Sequence, residues 1–150
     1  MTDTSKDMKP KAAEPVNCDR EALQARLLRG PYHQWLGLSV VEASDGVIVI
    51  EAPWREEFVV NPEGGYTHGG ILATLIDLGA DWAIATKLGR PFPTVDLRVD
   101  YHRPAGKGTL RVTGKIVRLG STFTTAEASI EDGNGKLVAS GRGTYYVVSK

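Results

Sequence analysis

The spacing of apolar positions changes twice along the chain, and the changes divide it into a helical opening, one long helix and a run of strands. Leu23, Leu27 and Leu28 recur at helical spacing behind Asp19. That predicts a short helix over Arg20–Arg29, capped by Asp19 and stopped by Gly30-Pro31. Trp35–Ala43 and Val47–Ala52 read as strands joined at Ser44-Asp45-Gly46, whose Asp-Gly pair is a hairpin signal. Pro53–Thr67 reads as a long loop, broken by Asn61-Pro62 and Gly64-Gly65, and loops of that length are usually functional or mobile.

The segment His68–Leu88 is free of proline, apolar on nearly every side, and followed by Gly89 and Pro91. About eighteen helical residues would run roughly 27 Å. A helix apolar all round, yet too short and too polar to span a bilayer, belongs inside a protein. Beyond it the period becomes two. Strands are expected over Thr94–His102, Thr109–Leu119, Thr122–Glu131 and Leu137–Val148, with a hairpin turn at Asp132-Gly133-Asn134-Gly135. Leu110, Val112, Gly114 and Ile116 share one face, opposite Arg111, Thr113 and Lys115. The pattern predicts an α+β fold, a curved antiparallel sheet of about six strands wrapped around one long central helix. Residues 1–17 are polar and expected to form a flexible tail, which leaves 18–150 as a single domain.

Composition narrows the function classes. Hydrophobic residues make up 41% and charged residues 24%, as in an ordinary globular domain. Eighteen basic and eighteen acidic residues balance, so the basic excess of a nucleic-acid binder is missing. The single cysteine, Cys18, cannot form an intramolecular disulfide, which favours a reducing compartment. No stretch approaches the roughly twenty apolar residues of a bilayer span, and the opening residues lack the apolar core of a signal peptide. The expectation is a cytoplasmic protein that engages neither nucleic acid nor membrane.

Two features carry candidate chemistry. Asp77 and Asp81 lie one turn apart in the long helix, with no Lys or Arg at i±4. The plainer reading is a solvated stripe. Against it stand the neighbours Ala73, Leu78, Ala80 and Ile84, and unpaired buried carboxylates cluster at functional sites. Of the two, Asp81 is the weaker candidate. The second feature is Tyr66-Thr67-His68-Gly69-Gly70, where free amides and the positive end of the helix dipole suit a carbonyl oxygen that becomes anionic. Its plainer reading is a capped hinge. Gly69 and Asp77 are eight residues apart, roughly 12 Å along the axis, too far to serve one atom. A carbonyl held at Gly69 would need its carboxylate from another helix, so the site would straddle a dimer interface. The chain has no Gly-x-Ser-x-Gly, phosphate loop or dinucleotide fingerprint. His33, His68 and His102 lack metal-ligand spacing, so no metal is expected. His33 and His102 read as structural or surface residues. Cys18 reads as an inert thiol, and Trp35, Trp54 and Trp82 as core or interface packing.

Asn61, His68-Gly69-Gly70 opening a helix, and Leu75-Ile76-Asp77 together resemble the hotdog-fold acyl-CoA thioesterases of the phenylacetate-degradation and 4-hydroxybenzoyl-CoA type. The likeness continues through Thr94-Val95-Asp96-Leu97, Tyr101-His102-Arg103-Pro104, Arg118-Leu119-Gly120-Ser121 and the Asp132–Ala139 turn and strand, spanning most of residues 35–148. The resemblance implies a thioester hydrolase of aryl- or medium-chain acyl-CoA, placed in aromatic catabolism. It implies Asp77 as nucleophile or general base, the Gly69 amide as the donor that polarises the thioester carbonyl, and Asn61 and His68 as residues that shape the pocket. By the same likeness, Gly70, Arg103, Ser121 and Thr122 contact the substrate, coenzyme A is part of that substrate rather than a cofactor, and homodimers pair into homotetramers. Asp81 departs from the pattern, standing where relatives carry Thr or another small neutral residue. It is expected near the substrate, able to raise the pKa of Asp77 or of itself, or to tune acyl specificity. Two rivals remain at this stage. One is a non-catalytic acyl-CoA binder. The other is a hotdog hydratase or dehydratase, disfavoured because His68 comes too late after Asn61-Pro62 for that branch's motif.

Overall fold

The computed structural model describes residues 16–148. Its elements run α1 (Arg20–Leu27), α2 (Pro31–Leu36), β1 (Ser39–Ser44), β2 (Val47–Ala52), α3 (Gly69–Leu88), β3 (Thr94–Tyr101), β4 (Leu110–Arg118), β5 (Phe123–Glu131) and β6 (Leu137–Tyr146). The six strands form one antiparallel sheet in the order β1-β2-β4-β5-β6-β3. The sheet curves around α3, which contacts every strand. This is the hotdog arrangement.

The opening differs from the sequence expectation in two places. Asp19 does cap α1, its carboxylate accepting from Ala22 N–H at 2.8 Å. The first helix also ends ahead of Gly30-Pro31, but a second helix follows at once. Pro31 sits at the first position of a second helix, where its missing N–H costs nothing and its fixed φ suits the turn. Trp35 and Leu36 therefore belong to α2, and the first strand starts only at Ser39, after Gly37 closes the helix at φ 68°. Trp35 is more than a third exposed, stacked on Tyr32 and under Arg55, rather than packed in the core. The expected tail, residues 1–17, falls mainly outside the described residues, but Val16 and Asn17 are tied to the domain. Val16 packs on Gly89, and the Asn17 carbonyl accepts from Arg26.

α3 forms where expected because both ends are marked. His68 is the N-cap, its Nδ1 accepting from Gly70 N–H at 2.7 Å, and Gly89 closes the other end in the left-handed region at φ 78°. Twelve of its twenty residues are buried, from Leu72 through Thr86. The sheet supplies their partners by alternation: Leu110, Val112 and Gly114 on β4 and Thr124, Ala126, Ala128 and Ile130 on β5 point inward and are buried. No described helix is long and apolar enough to cross a membrane.

Helix and sheet touch most closely where Gly79 meets Gly114. A Cβ on Gly114 would stand 1.9 Å from the Gly79 carbonyl oxygen, whereas one on Gly79 would meet the Val112 side chain at 2.6 Å. Backbone cannot swing aside as a side chain can. Gly114→Ala should therefore lower stability by about 2 kcal/mol or more, and Gly79→Ala by less, because alanine's helix propensity offsets part of its clash. Paired thermal melts check the order; equal midpoints for the two variants would contradict it.

Candidate active site

Asp77 is half-buried, and its partners come from distant strands rather than from its own helix. Thr94, the first residue of β3, donates its hydroxyl to Asp77 Oδ1 at 2.8 Å. Tyr145 on β6, fully buried, brings its phenol within 3.0 Å of the same Oδ1 and of the Asp77 carbonyl oxygen. Both donors thus act on one carboxylate oxygen, which fixes the group, while Oδ2 accepts no hydrogen bond from any described residue. Burial pushes the Tyr145 phenol pKa well up, and the Asp77 charge, the bond to Asp77 and the Asp81 charge push it further, so it remains a proton donor.

Asp81 is not part of a solvated stripe. It is only 9% exposed, deeper than Asp77, because the turn between α3 and β3 closes over it. Its Oδ1 accepts from Phe92 N–H at 2.8 Å. Its pKa is pushed up to about 7, chiefly by burial and further by the Asp77 charge, against the lowering effect of the Phe92 amide.

At the other end of the site, α3 starts with its amides unequally occupied. The Gly70 N–H is taken by His68 Nδ1 and the Ile71 N–H by the His68 carbonyl. The Gly69 N–H makes no bond to any described residue, so one donor, rather than several, is presented by the helix start. Tyr101 frames it, donating to the Gly69 carbonyl at 2.9 Å with its ring against Gly69 Cα. The loop is held to this point by Thr67 N–H on the Ala105 carbonyl and His68 N–H on the Phe58 carbonyl, both at 2.8 Å. Asn61 caps its own turn, Oδ1 accepting from Glu63 N–H at 3.0 Å, and stands exposed.

The expected residues thus fall into two groups within one chain. Gly69, Gly70, His68 and Arg103 lie toward the Tyr101 end of β3, where Arg103 N–H meets the Val138 carbonyl. Asp77 and Asp81 lie toward its Thr94 end. Ser121 and Thr122 are at that end too, since the Thr122 carbonyl accepts from Val147 N–H and Phe123 pairs with Tyr146. Arg103 and Ser121-Thr122, expected to share the nucleotide, stand at opposite ends of the β5–β6 pair, roughly 25 Å apart at about 3.3 Å per residue. A surface concavity of about 620 Å³ between Arg98, Lys115, Glu127 and Arg142 lies on the outer face of the sheet and includes none of these residues. His33 bonds the Leu27 carbonyl and meets Trp82 edge-on, and His102 bonds Ser140, so both have structural partners.

Thr94 and Tyr145 were not identified from sequence. Tyr145 had one signal: alternation along β6 turns it inward, and a buried phenol needs an acceptor. Nothing local marks Thr94, because its link to Asp77 spans seventeen residues and a turn.

Comparison with known proteins agrees with this fold. The family model described as Thioesterase superfamily matches residues 64–139. Human acyl-coenzyme A thioesterase 13 is 30% identical over 132 residues, covering 85% of this chain and 93% of the relative. A crystal structure described as a protein from the thioesterase superfamily aligns with TM-score 0.83 and 48% identity, over 85% of this chain and 97% of the other. A mutant structure of the phenylacetic acid degradation protein PaaI from Thermus thermophilus aligns with TM-score 0.69 and 30% identity, over 78% and 98% of the two chains.

The raised Asp81 pKa fixes a stability trend. A carboxyl that titrates higher in the folded chain binds its proton more tightly there, so its contribution is full below about pH 4 and is lost as pH rises to about 7. Across that window the melting midpoint of the native protein should fall relative to Asp81→Asn, which cannot ionise. A constant gap between the two melting curves would contradict the assignment.

Proposed function

This chain belongs to the thioesterase superfamily and is a thioester hydrolase, and from that premise we propose that it hydrolyses acyl-CoA thioesters with Asp77 as general base and the Gly69 amide as oxyanion donor. The observation that carries the reading is the pairing of a carboxylate fixed on one oxygen with a single open amide at a helix start. Oδ2 of Asp77 takes a proton from water as the water oxygen bonds to the thioester carbon. The carbonyl oxygen becomes anionic against Gly69 N–H, where one such donor is typically worth roughly 3–4 kcal/mol of barrier. The C–S bond then breaks, and CoA leaves as a thiolate that takes up a proton, freeing the carboxylic acid. A thioester is an activated acyl donor, so this route draws on no metal or organic cofactor, and CoA enters as part of the substrate.

The two halves are too far apart along α3 to act on one carbonyl within a single chain. β3 offers the solution, since it is an edge strand with Val95 and Tyr101 more than half exposed. Pairing two copies antiparallel along β3 lays the Thr94 end of one beside the Tyr101 end of the other. Asp77 of one subunit then faces Gly69 of its partner, and Arg103 of one approaches Ser121-Thr122 of the other, as a CoA nucleotide spanning the interface requires. His68 and Asn61 act indirectly in this arrangement, His68 by occupying the Gly70 amide and Asn61 by shaping the preceding turn. We favour an aryl acyl group, because Tyr32, stacked on Trp35, bonds Thr74 one turn before Asp77 and offers a flat apolar wall.

A panel of aryl- and alkyl-CoA thioesters, assayed for CoA release, tests the reading. Aryl thioesters should turn over fastest, and Asp77→Asn should lower kcat by about a thousandfold while still binding substrate. Binding without turnover in the native protein would refute it. A single turnover in ¹⁸O-water should label the product acid and leave Asp77 unlabelled; label in Asp77 would make it the nucleophile instead.

A further inference from the structure

The turn between α3 and β3 is short and stiff. It runs Gly89-Arg90-Pro91-Phe92-Pro93, with Gly89 in the left-handed region, its carbonyl accepting from Arg26 at 3.0 Å, and prolines on both sides of Phe92. Neither proline has an N–H to give, and each fixes its own φ. Among the described residues, the body of α3 grips the middle of this turn at one point, Asp81 Oδ1 on Phe92 N–H. Phe92 is itself buried, and the next anchor is the Pro93 carbonyl, which accepts from Tyr146 N–H at 3.0 Å. Thr94 follows directly, with its hydroxyl on Asp77 Oδ1.

We infer that Asp81 is a positioning residue for the reaction: by holding Phe92 N–H it sets the stiff turn, and with it the Thr94 hydroxyl that orients the Asp77 carboxylate. The inference rests on the thioesterase reading of Asp77. Two carboxylates one turn apart on a buried helix thereby divide the work. Asp77 faces the substrate, and Asp81 faces the turn that carries a donor back to Asp77. The titratable groups bearing on Asp81 are Asp77 from its own helix and Tyr145 from β6. From the turn, Arg90 lies over the Phe92 ring, 4.3 Å from its centroid. An ionised carboxylate accepts the Phe92 amide about twice as strongly as a neutral one. The raised Asp81 pKa therefore makes the grip tighten, and kcat rise, as pH passes through about 7.

A double-mutant cycle on the fastest thioester separates this role from others, using Asp81→Ala, Thr94→Ala, the double variant and Asp81→Asn. Asp81→Ala should lower kcat about ten- to a hundredfold, as a slight misplacement of a reacting group does, with KM little changed. If Asp81 acts through Thr94, the double variant should be no slower than Thr94→Ala alone. Asp81→Asn, whose amide oxygen can still accept from Phe92 N–H, should recover most of the loss and remove the rise in kcat near pH 7. Multiplied losses in the double variant, or a loss confined to KM, would overturn the assignment. Should Asp81→Ala fail to fold, an unaltered pH profile in Asp81→Asn overturns it alone. A native protein without turnover, or a fully active Asp77→Asn, would refute the thioesterase reading and this one together. An active native protein with an inactive Asp77→Asn and a multiplicative cycle would refute only the role of Asp81.

Discussion

A helix enclosed by a sheet must satisfy its polar groups without water, and that constraint organises this molecule. Three polar side chains on α3, Thr86, Asp81 and Asp77, are each answered from a different part of the chain. Thr86 donates to the Ala83 carbonyl and accepts from Gly46 N–H, tying down the β1–β2 hairpin. Asp81 takes the Phe92 amide and closes the turn into β3. Asp77 takes the hydroxyls of Thr94 and Tyr145 from two adjacent strands. Leaving any of them unpaired would cost about 1–3 kcal/mol, and more for a charge, so the same bonds that make the helix tolerable fix the sheet around it.

That arrangement also holds the proposed catalytic carboxylate, Asp77, by one oxygen. Tyr145 cannot ionise beside Asp77 and Asp81, and Thr94 has no ionisation to lose, so both remain donors throughout the neutral range. Among the described residues no Lys or Arg pairs with this carboxylate, so its two hydroxyl donors orient it. Asp77 is then more exposed than Asp81, which suits a group that must meet a substrate, while Asp81 remains inside and holds structure.

The two halves of the proposed site are split along β3. The amide at Gly69 sits at one end of that strand and the carboxylate at Asp77 toward the other, and the strand itself is a sheet edge with unpaired backbone. An open edge of this length is a site for pairing with another chain. In the proposed assembly the same pairing that covers the edge unites the two halves, so stability of the interface and completeness of the site depend on one contact.

Periodicity alone determined much of this protein: the buried central helix, the strands β2 through β6 to within two residues, the inward face of β4 and the cap at Asp19. These are local properties, written in residues a few positions apart, and burial enforces them wherever the chain goes. The motif at His68-Gly69-Gly70 and the carboxylate at Asp77 were legible for the same reason, as a helix start and its turn spacing lie in one stretch. Pro31 misled because a proline ends one helix and opens another with equal ease. What only the tertiary structure decided was which groups meet. Asp81 looked the lesser carboxylate until the 89–93 turn closed over it, and Thr94 and Tyr145 had no sequence neighbour to announce their bond to Asp77. Those contacts join residues up to 68 positions apart, and folding, rather than local spacing, brings their donors to one oxygen.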